Sequence, residues 1–338
     1  MSKRILLTGA SGTVGFAALR MLVDQEVHEI IVFDLETRKS KKLLNKYKSR
    51  VKLIYGDIGN KDNIEKVCSN IDVVIHLAAI IPPLADDNPE LAYRVNVTGT
   101  KNLVESLESN SPQAFLIYSS SVAIYGDRLG NPDIYTTDQL KPSLGDEYAK
   151  TKIEAEQIIQ QSKLKWTIFR LSAIMGSHNH EVGKLMFHMP LNTPMEIASP
   201  EDTGRAFVNA VDHTSELDHL IFNLGGGDKC RIIYRDFLSE SFKISGLGEL
   251  DFPEYSFAEK NFHCGYYEDG NKLEEILHFR HDTIDNHFST LKKETNFFKK
   301  IMAILFRKQI KKMLLSKSEP YEAKLENNTA LINRFFDN

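Results

Sequence analysis

The chain has 338 residues, of which 42% are hydrophobic and 26% charged, a composition typical of folded globular proteins. Its 19 glycines and 11 prolines exclude collagen-like and wholly disordered chains, and no apolar run approaches the roughly 18 residues that span a bilayer. The formal net charge is −4, and the charge is unevenly distributed along the chain. Residues 291–338 hold 11 Lys/Arg and 5 Asp/Glu, whereas the residues before them hold 31 Lys/Arg and 41 Asp/Glu. This mildly acidic body argues against nucleic-acid binding.

The first apolar stretch, at residues 5–7, is too short for the core of a secretory signal peptide and predicts a strand. The three cysteines, Cys68, Cys230 and Cys264, are scattered and have neither the spacing of a disulfide framework nor that of a metal site. Because such a set suits a reducing compartment, the sequence predicts a cytoplasmic protein.

Short apolar runs alternate with amphipathic stretches of helical length through the first half of the chain. The predicted strands cover residues 4–7, 30–33, 51–55, 71–77, 114–118 and 166–169, with a later one at 220–224. The predicted helices cover residues 14–23, 91–108, 147–162, 203–211, 235–242 and 271–277. This alternation predicts an α/β fold with a doubly wound parallel sheet of the Rossmann type, covered by helices on both faces. The carboxyl ends of the strands would then share one ligand-binding edge.

The regular alternation ends near Gly176, which suggests two parts of unequal character. We predict an NAD-binding Rossmann domain in residues 1–175, with its sheet completed by parts of 200–225. Residues 176–338 would form a small, partly interleaved substrate lobe and a basic amphipathic C-terminal tail. The segment 178–200, with three prolines, is interpreted as a loop with a short helix.

Three histidines of that segment, His178, His180 and His188, raise the question of a metal site. Their spacing matches no standard zinc pattern, and Glu181 is the only nearby acidic residue. We therefore predict that the protein has no metal site and that these histidines belong to a polar substrate loop.

The first predicted strand runs into Gly9, Gly12 and Gly15, with the spacing G-x-x-G-x-x-G, and a helix is predicted directly after them. Glycines allow the backbone to turn tightly and to approach a pyrophosphate that lies at the helix N-terminus. Asp34 ends the second strand, where a carboxylate accepts hydrogen bonds from a ribose and repels a 2′-phosphate. The pattern predicts a dinucleotide site that prefers NAD to NADP, although two basic residues shortly after Asp34 would weaken that preference.

Ser121 follows the fifth strand, and Tyr148 and Lys152 lie four residues apart on a predicted helix, where they share one face. The helix would direct both side chains to the strand edge that carries Ser121. A phenol with a pKa near 10 is a poor base at neutral pH, but a neighbouring ammonium and an oxidised nicotinamide would lower that pKa. These residues predict a catalytic group in which Tyr148 exchanges a proton, Ser121 orients the reacting oxygen and Lys152 lowers the pKa of the tyrosine.

With these motifs in order, the sequence resembles the extended short-chain dehydrogenases/reductases of the NAD-dependent epimerase/dehydratase family, over residues 3–279. Further family motifs are Asp57-Ile58, His76-Leu77-Ala78-Ala79, Pro89, Tyr93, Asn96, Gly99-Thr100, Tyr118-Ser119-Ser120-Ser121, Tyr125-Gly126 and Arg170. The resemblance implies NAD as the cofactor and Ser121, rather than Ser119 or Ser120, as the catalytic serine. It also implies that Lys152 holds the nicotinamide ribose, that Asn96 helps to order the active-site helix, and that the protein is a homodimer.

The cofactor contacts predicted from the motifs and the resemblance follow the strand edge from one strand to the next. They are Gly9, Gly12, Thr13, Val14, Gly15, Asp34, Asp57, Ile58, Leu77, Ala78, Ala79, Asn96, Ser119, Tyr148, Lys152 and Leu171.

The expected activity is NAD-dependent hydride transfer at a secondary alcohol or its carbonyl, with sugar-like compounds among the candidate small-molecule substrates. A nucleotide-sugar epimerase with tightly bound NAD is the alternative, but Ala173 stands where such family members usually carry an asparagine that contacts phosphate. Val122-Ala123 replaces the Asp-Glu pair of family dehydratases, which argues against dehydration. A third hypothesis is a non-catalytic NAD-sensing regulator; such relatives commonly lose the tyrosine or the lysine, and both are present.

Residues 297–315 form a predicted amphipathic helix with six Lys/Arg and no acidic residue. The rest of the chain is acidic and offers a partner of opposite charge. We therefore expect this tail to pack against the body or against a second subunit. A membrane surface with anionic lipids is the alternative partner.

Overall fold

The computed structural model describes residues 2–176 and 183–337, and in these ranges strands and helices alternate as the sequence predicts. The strands are β1 (Arg4–Thr8), β2 (Glu29–Asp34), β3 (Lys52–Tyr55), β4 (Val73–His76), β5 (Phe115–Ser121), β6 (Asp133–Ile134), β7 (Lys165–Leu171), β8 (Ala173–Ile174), β9 (Pro194–Ala198), β10 (Leu220–Leu224), β11 (Arg231–Ile233) and β12 (Tyr266–Tyr267).

The α-helices lie between and after these strands. They are α1 (Thr13–Gln25), α2 (Arg38–Leu44), α3 (Lys61–Glu65), α4 (Leu84–Asp87), α5 (Pro89–Ala92), α6 (Gly99–Asn110), α7 (Glu147–Gln160), α8 (Leu185–His188), α9 (Pro200–Asn209), α10 (Thr214–Leu217), α11 (Tyr234–Ser245), α12 (Asn271–Leu277), α13 (Ile284–Glu294), α14 (Phe297–Leu305), α15 (Arg307–Leu315), α16 (Glu319–Leu325) and α17 (Thr329–Phe335).

Seven strands form one sheet in the order β3-β2-β1-β4-β5-β7-β10, and every pairing in it is parallel. The chain moves outward from β1 through β2 to β3 and then returns to the other side of β1 with β4. This reversal opens a crevice at the carboxyl ends of β1 and β4, the place where doubly wound sheets bind ligands. The predicted Rossmann-type fold is confirmed.

Helices cover both faces of this sheet, which explains why its strands carry apolar residues on both faces. Within β1, Ile5 and Leu7 join the core beneath α1 and α9, whereas Leu6 points to the other face, beneath α6 and α7. Both cores are fully buried, so the strands hold the loops at the carboxyl edge on a rigid support.

A second, smaller sheet consists of β8, β9 and β11, in which β9 pairs parallel with β8 and antiparallel with β11. The sequence-based interpretation of 178–200 as a loop with a short helix was wrong in part: α8 is that helix, but β9 is a strand. Pro194 opens β9 as its first residue, where the missing N–H is tolerated. Met195 and Ile197 are buried in the core of the lobe that includes α8 and α11.

The tail departs from the prediction of one continuous helix, because α14 and α15 are separate helices that meet at Phe306. Ile310 and Leu314 of α15 pack into the core of the smaller lobe, as expected for packing against the body. By contrast, several large apolar side chains of α14 face solvent. In the described part of the chain, no helix combines the length and the apolar character needed to cross a membrane.

Candidate active site

The turn between β1 and α1, together with the first turn of α1, carries the three glycines of the motif, and we call this segment the glycine cradle. Gly9 has a φ of +74°, in the left-handed region that favours glycine. A Cβ atom on Gly9 would lie 2.6 Å from the nitrogen of Ala78, and one on Gly15 would lie 2.1 Å from the oxygen of Gly9. Gly12 precedes the helix as its N-cap, followed by Thr13 and Val14 in the first turn. The residues therefore fit a pyrophosphate at this helix N-terminus.

Asp34 ends β2 beside this cradle, and its side chain is buried. Its two carboxylate oxygens accept hydrogen bonds from the Ser11 main-chain nitrogen at 2.7 Å and the Ser11 hydroxyl at 2.8 Å. Burial raises the pKa of Asp34, and the two Ser11 bonds oppose that rise. Ser11 was not predicted as a site residue, although its place inside the glycine motif was a signal. It holds the carboxylate next to the loop that would carry the phosphates.

Asp57 and Ile58 follow β3, the strand next to β2. The Asp57 carboxylate forms an ion pair with Arg94 and accepts a hydrogen bond from the Gly59 nitrogen at 2.9 Å. Ile58 is buried, and a Cβ on Gly99 would lie only 2.7 Å from its side chain. These contacts fix the chain that borders the predicted adenine side.

Leu77, Ala78 and Ala79 continue the chain after β4, on the opposite side of the crevice. Before them, the buried His76 ring links Thr8 through Nδ1 at 2.8 Å and Thr100 through Nε2 at 3.0 Å. Burial lowers the pKa of His76 to about 3, so the imidazole is neutral at physiological pH. This network, which sequence reasoning did not assign, fastens β1, β4 and α6 together behind the cradle.

Asn96 lies in a π-helical turn, residues Tyr93–Thr98, that interrupts the single helix predicted for 91–108. Its amide accepts a hydrogen bond from the Ile80 nitrogen at 2.8 Å and donates to the Ile80 oxygen at 2.9 Å and the Thr151 hydroxyl at 2.9 Å. Turns of this type often occur at functional sites. Here the turn directs an asparagine inward, where it ties the loop after β4 to α7.

Helix α7 begins after Asp146, whose carboxylate caps it by accepting from the Ala149 nitrogen at 2.8 Å. Tyr148 and Lys152 are buried on one face of this helix, with the Lys152 nitrogen 5.8 Å from the centre of the Tyr148 ring. The Tyr148 hydroxyl forms a hydrogen bond with the side chain of Ser121, at the end of β5. The structure thus brings together the three predicted catalytic side chains.

The Lys152 ammonium donates a hydrogen bond to the Ser119 main-chain oxygen at 2.7 Å and lies 3.3 Å from the Tyr118 hydroxyl. Ser119 also donates from its hydroxyl to the His76 oxygen at 3.3 Å. Leu171 pairs with Ser121 in the neighbouring strand β7. Ser119, Lys152 and Leu171 therefore lie around the same strand ends as the tyrosine.

The pKa values of the pair follow from their burial. Burial raises the pKa of Tyr148, with Asp146 adding to that rise and the Ser121 hydrogen bond opposing it. Burial lowers the pKa of Lys152 to about 7, against the attraction of Glu156. Removal of the phenol from water is thus the largest effect on the Tyr148 pKa, and the lowering of that pKa by Lys152 together with an oxidised nicotinamide stays a prediction. Ser121 is the group that favours the phenolate here.

Glu156 lies one turn beyond Lys152 on α7 and forms a buried bidentate pair with Arg170 of β7. The two nitrogen–oxygen distances are 3.1 and 2.8 Å. Arg170 also donates to the Tyr125 hydroxyl at 2.8 Å, and that hydroxyl donates to Asn223 of β10 at 2.8 Å. The network holds α7 on the sheet and so positions Tyr148. Arg170 and Tyr125 were noted only as family motifs, and Glu156 was missed.

Within residues 2–176 and 183–337, no group of three or more His, Cys, Asp or Glu side chains is arranged to hold a metal ion. His178, His180 and Glu181 lie outside the described residues. His188 is buried in α8, and its ring lies 2.8 Å from the Glu319 carboxylate. The expectation of a protein without a metal stays a prediction.

The geometry can be compared with known proteins. A family model described as the NAD dependent epimerase/dehydratase family matches residues 5–227. The chain is 28% identical over 162 residues to 3 beta-hydroxysteroid dehydrogenase type 7 of Mus musculus, covering 46% of this chain and 44% of that protein. It is 29% identical over 186 residues to N-acetyl-alpha-D-glucosaminyl-diphospho-ditrans,octacis-undecaprenol 4-epimerase of Escherichia coli O157:H7, covering 53% and 51%. The chain thus spans about half the length of these relatives.

The fold is similar to that of the UDP-glucuronic acid 4-epimerase from Bacillus cereus, solved in complex with UDP-glucuronic acid and NAD. The TM-score is 0.72, the sequence identity is 19%, and the match covers 86% of this chain and 99% of that chain. At this identity the likeness concerns the fold alone.

Proposed function

Because the chain belongs to the NAD-dependent epimerase/dehydratase family, we propose that it is an oxidoreductase that transfers hydride at a secondary alcohol or the corresponding carbonyl. Membership makes it an NAD-dependent enzyme. The observation that carries the finer proposal is the meeting of Tyr148, Ser121 and Lys152 at the strand edge beside the glycine cradle. A non-catalytic NAD sensor commonly lacks the tyrosine or the lysine, and this chain has both Tyr148 and Lys152.

In the proposed oxidation, a secondary alcohol loses a proton from its oxygen and a hydride from its carbon and becomes a carbonyl; reduction is the reverse. When bound, NAD accepts or returns the hydride at the substrate carbon. Tyr148 takes the hydroxyl proton during oxidation and returns it during reduction, while Ser121 donates a hydrogen bond to the same oxygen. Lys152, anchored on Ser119, binds the nicotinamide ribose and, when protonated, favours the tyrosinate in the transition state.

In this proposal the glycine cradle, Gly9, Gly12 and Gly15, together with the first turn of α1 holds the pyrophosphate, and Asp34 holds the adenosine ribose. The fit of the cradle to a pyrophosphate is supported by the close main-chain packing at Gly9 and Gly15, which leaves no room for a Cβ atom. The other predicted cofactor contacts, from Asp57 to Leu171, remain proposals of the same kind.

Replacing Asp34 with asparagine should weaken the preference for NAD. The change removes the charge that repels a 2′-phosphate, while an asparagine oxygen still accepts the Ser11 main-chain hydrogen bond at this site. We expect the ratio of NAD to NADP affinity to fall by roughly tenfold, the effect of about 1.4 kcal/mol. Calorimetric titration with each nucleotide measures it. Glu36→Gln, at an exposed carboxylate nearby, is the matched control and should leave the ratio unchanged.

A second candidate is an epimerase in which hydride leaves and returns within one turnover. The likeness to the undecaprenol-linked sugar 4-epimerase supports it, whereas Ala173 in the phosphate-contacting position and the hydroxysteroid dehydrogenase relatives support the dehydrogenase.

We retain three further proposals: the division at residue 175 into an NAD-binding part and a substrate lobe, a homodimer, and a cytoplasmic location. Burial of all three free cysteines is compatible with that location.

The nucleotide carried by the purified protein distinguishes the two candidates. The protein would be gel-filtered and denatured, and the released nucleotide identified by mass spectrometry. A dehydrogenase should emerge largely empty and bind added NAD and NADH reversibly, because its cofactor leaves in each cycle. Stoichiometric NAD that survives gel filtration would contradict the dehydrogenase proposal and favour the epimerase.

A further inference from the structure

Helix α14 carries a contiguous set of large apolar side chains that face solvent. We call this set the α14 apolar face; it consists of Phe297, Phe298, Ile301, Met302 and Leu305. The exposed fractions of Phe297, Phe298 and Leu305 are 70%, 76% and 67%. Because these residues recur at helical spacing, they form one surface rather than scattered exposures. Contiguous exposed apolar surface of this kind marks an interaction site.

The other side of the tail is anchored to the protein, so the apolar face is held outward. Ala303 and Ile310 pack against the core of the smaller lobe, and Leu314 is buried within it. The Lys311 ammonium donates a hydrogen bond to the Glu249 main-chain oxygen at 2.5 Å and pairs with Asp251. The two helices therefore have an inner side that packs on the body and an outer side that does not.

The charge along the α14–α15 segment itself has a single sign. No Asp or Glu occurs between Thr295 and Ser318. The seven basic residues in that stretch are Lys299, Lys300, Arg307, Lys308, Lys311, Lys312 and Lys317. Of these, Lys299, Arg307, Lys308, Lys312 and Lys317 are exposed. A partner for the face must therefore be apolar at its centre and negatively charged around it.

We propose that the α14 apolar face docks on an anionic lipid bilayer surface. The aromatic and aliphatic side chains would enter the boundary between headgroups and acyl chains, and the exposed lysines would lie at the lipid phosphates. A helix that lies in the plane of the membrane does not have to cross it, and no helix in the described residues is long and apolar enough to do so. The docking is peripheral and reversible.

A second copy of the chain is the competing occupant, and the charge distribution argues against it. A twofold contact through this face would place the same surface of both subunits together. The basic residues around the two faces would then repel each other, whereas an anionic bilayer attracts them. The distribution of basic residues around the α14 apolar face thus favours docking on anionic lipid over self-association.

Vesicle sedimentation with the full-length protein tests the proposal. Vesicles of phosphatidylcholine alone are compared with vesicles that also contain phosphatidylserine. We expect binding to the anionic vesicles only, and we expect it to weaken as salt is added because the lysine contribution is screened. Leu305→Glu should weaken the binding at least about tenfold, since it replaces an inserted apolar group with a charge that the lipid repels.

Leu325→Glu is the matched control, because Leu325 has the same exposed fraction of 67% but lies on α16, outside the face. This variant should sediment with anionic vesicles like the unchanged protein. Failure of the folded protein to bind anionic vesicles, equal binding to neutral ones, or equal loss in both variants would each overturn the proposal. So would a dimer, measured by light scattering, that Leu305→Glu dissociates while lipid binding is absent.

Discussion

A Tyr148→Phe variant is expected to lose turnover by at least about a hundredfold while it binds NAD with nearly unchanged affinity. The phenol is the proposed proton carrier, and general acid–base groups typically contribute about 10²- to 10⁴-fold. Phenylalanine fills the same buried space and removes only the hydroxyl that bonds with Ser121. Steady-state rates with an identified substrate and calorimetric titration with NAD give the two quantities.

Tyr234→Phe provides the matched control for this comparison. Tyr234 is also buried, and its hydroxyl donates one hydrogen bond, to the Met186 main-chain oxygen at 3.0 Å, in the core of the smaller lobe. Its loss should reduce the free energy of unfolding by about 1 kcal/mol and leave turnover essentially intact. Undiminished turnover in Tyr148→Phe, or equal loss in both variants, would refute the proposed role of Tyr148.

A Glu156→Gln variant is expected to lose about 3–5 kcal/mol of unfolding free energy, because it leaves the Arg170 guanidinium buried without its charge partner. Only 1% of the Glu156 side chain is exposed, so water cannot replace the carboxylate. Turnover should fall as well, since the pair holds α7, and with it Tyr148, against β7. Urea unfolding measures the effect as a lower midpoint with an unchanged slope.

Glu105→Gln is the appropriate comparison for that measurement. Glu105 pairs with Lys61 at 2.7 Å on the surface, where both side chains remain partly exposed to water. Such pairs contribute about 0–1 kcal/mol, so the midpoint should move little. A similar small shift in both variants would mean that the buried pair does not support the site as described.

The carboxyl-edge site could be predicted because its signals are local in sequence. Gly9, Gly12 and Gly15 lie in one short segment of the chain. The four-residue spacing of Tyr148 and Lys152 places both on one face of a helix, independently of the tertiary contacts of that helix. The strands were recognisable because burial on both faces leaves them continuously apolar. The observed sheet, including β10 at 220–224, follows from that pattern.

The remaining features depend on contacts between distant segments. In the sequence, Glu156 is not distinguishable from other acidic residues on helices, because its partner Arg170 lies on the separate strand β7. Ser11 contacts Asp34 only in the folded glycine turn. Strand β9 was hidden by its opening proline. The rise of the Tyr148 pKa on burial could not be predicted, because the sequence does not reveal how completely the phenol is withdrawn from water.

A calorimetric titration of the nucleotide-free, folded protein with NAD and with NADP tests the proposed NAD site directly. We expect saturable binding of NAD at one site per chain and weaker binding of NADP, because the Asp34 carboxylate lies beside the glycine cradle and repels a 2′-phosphate. A folded protein that binds neither nucleotide, or that prefers NADP, would contradict the assignment of this strand edge as an NAD site.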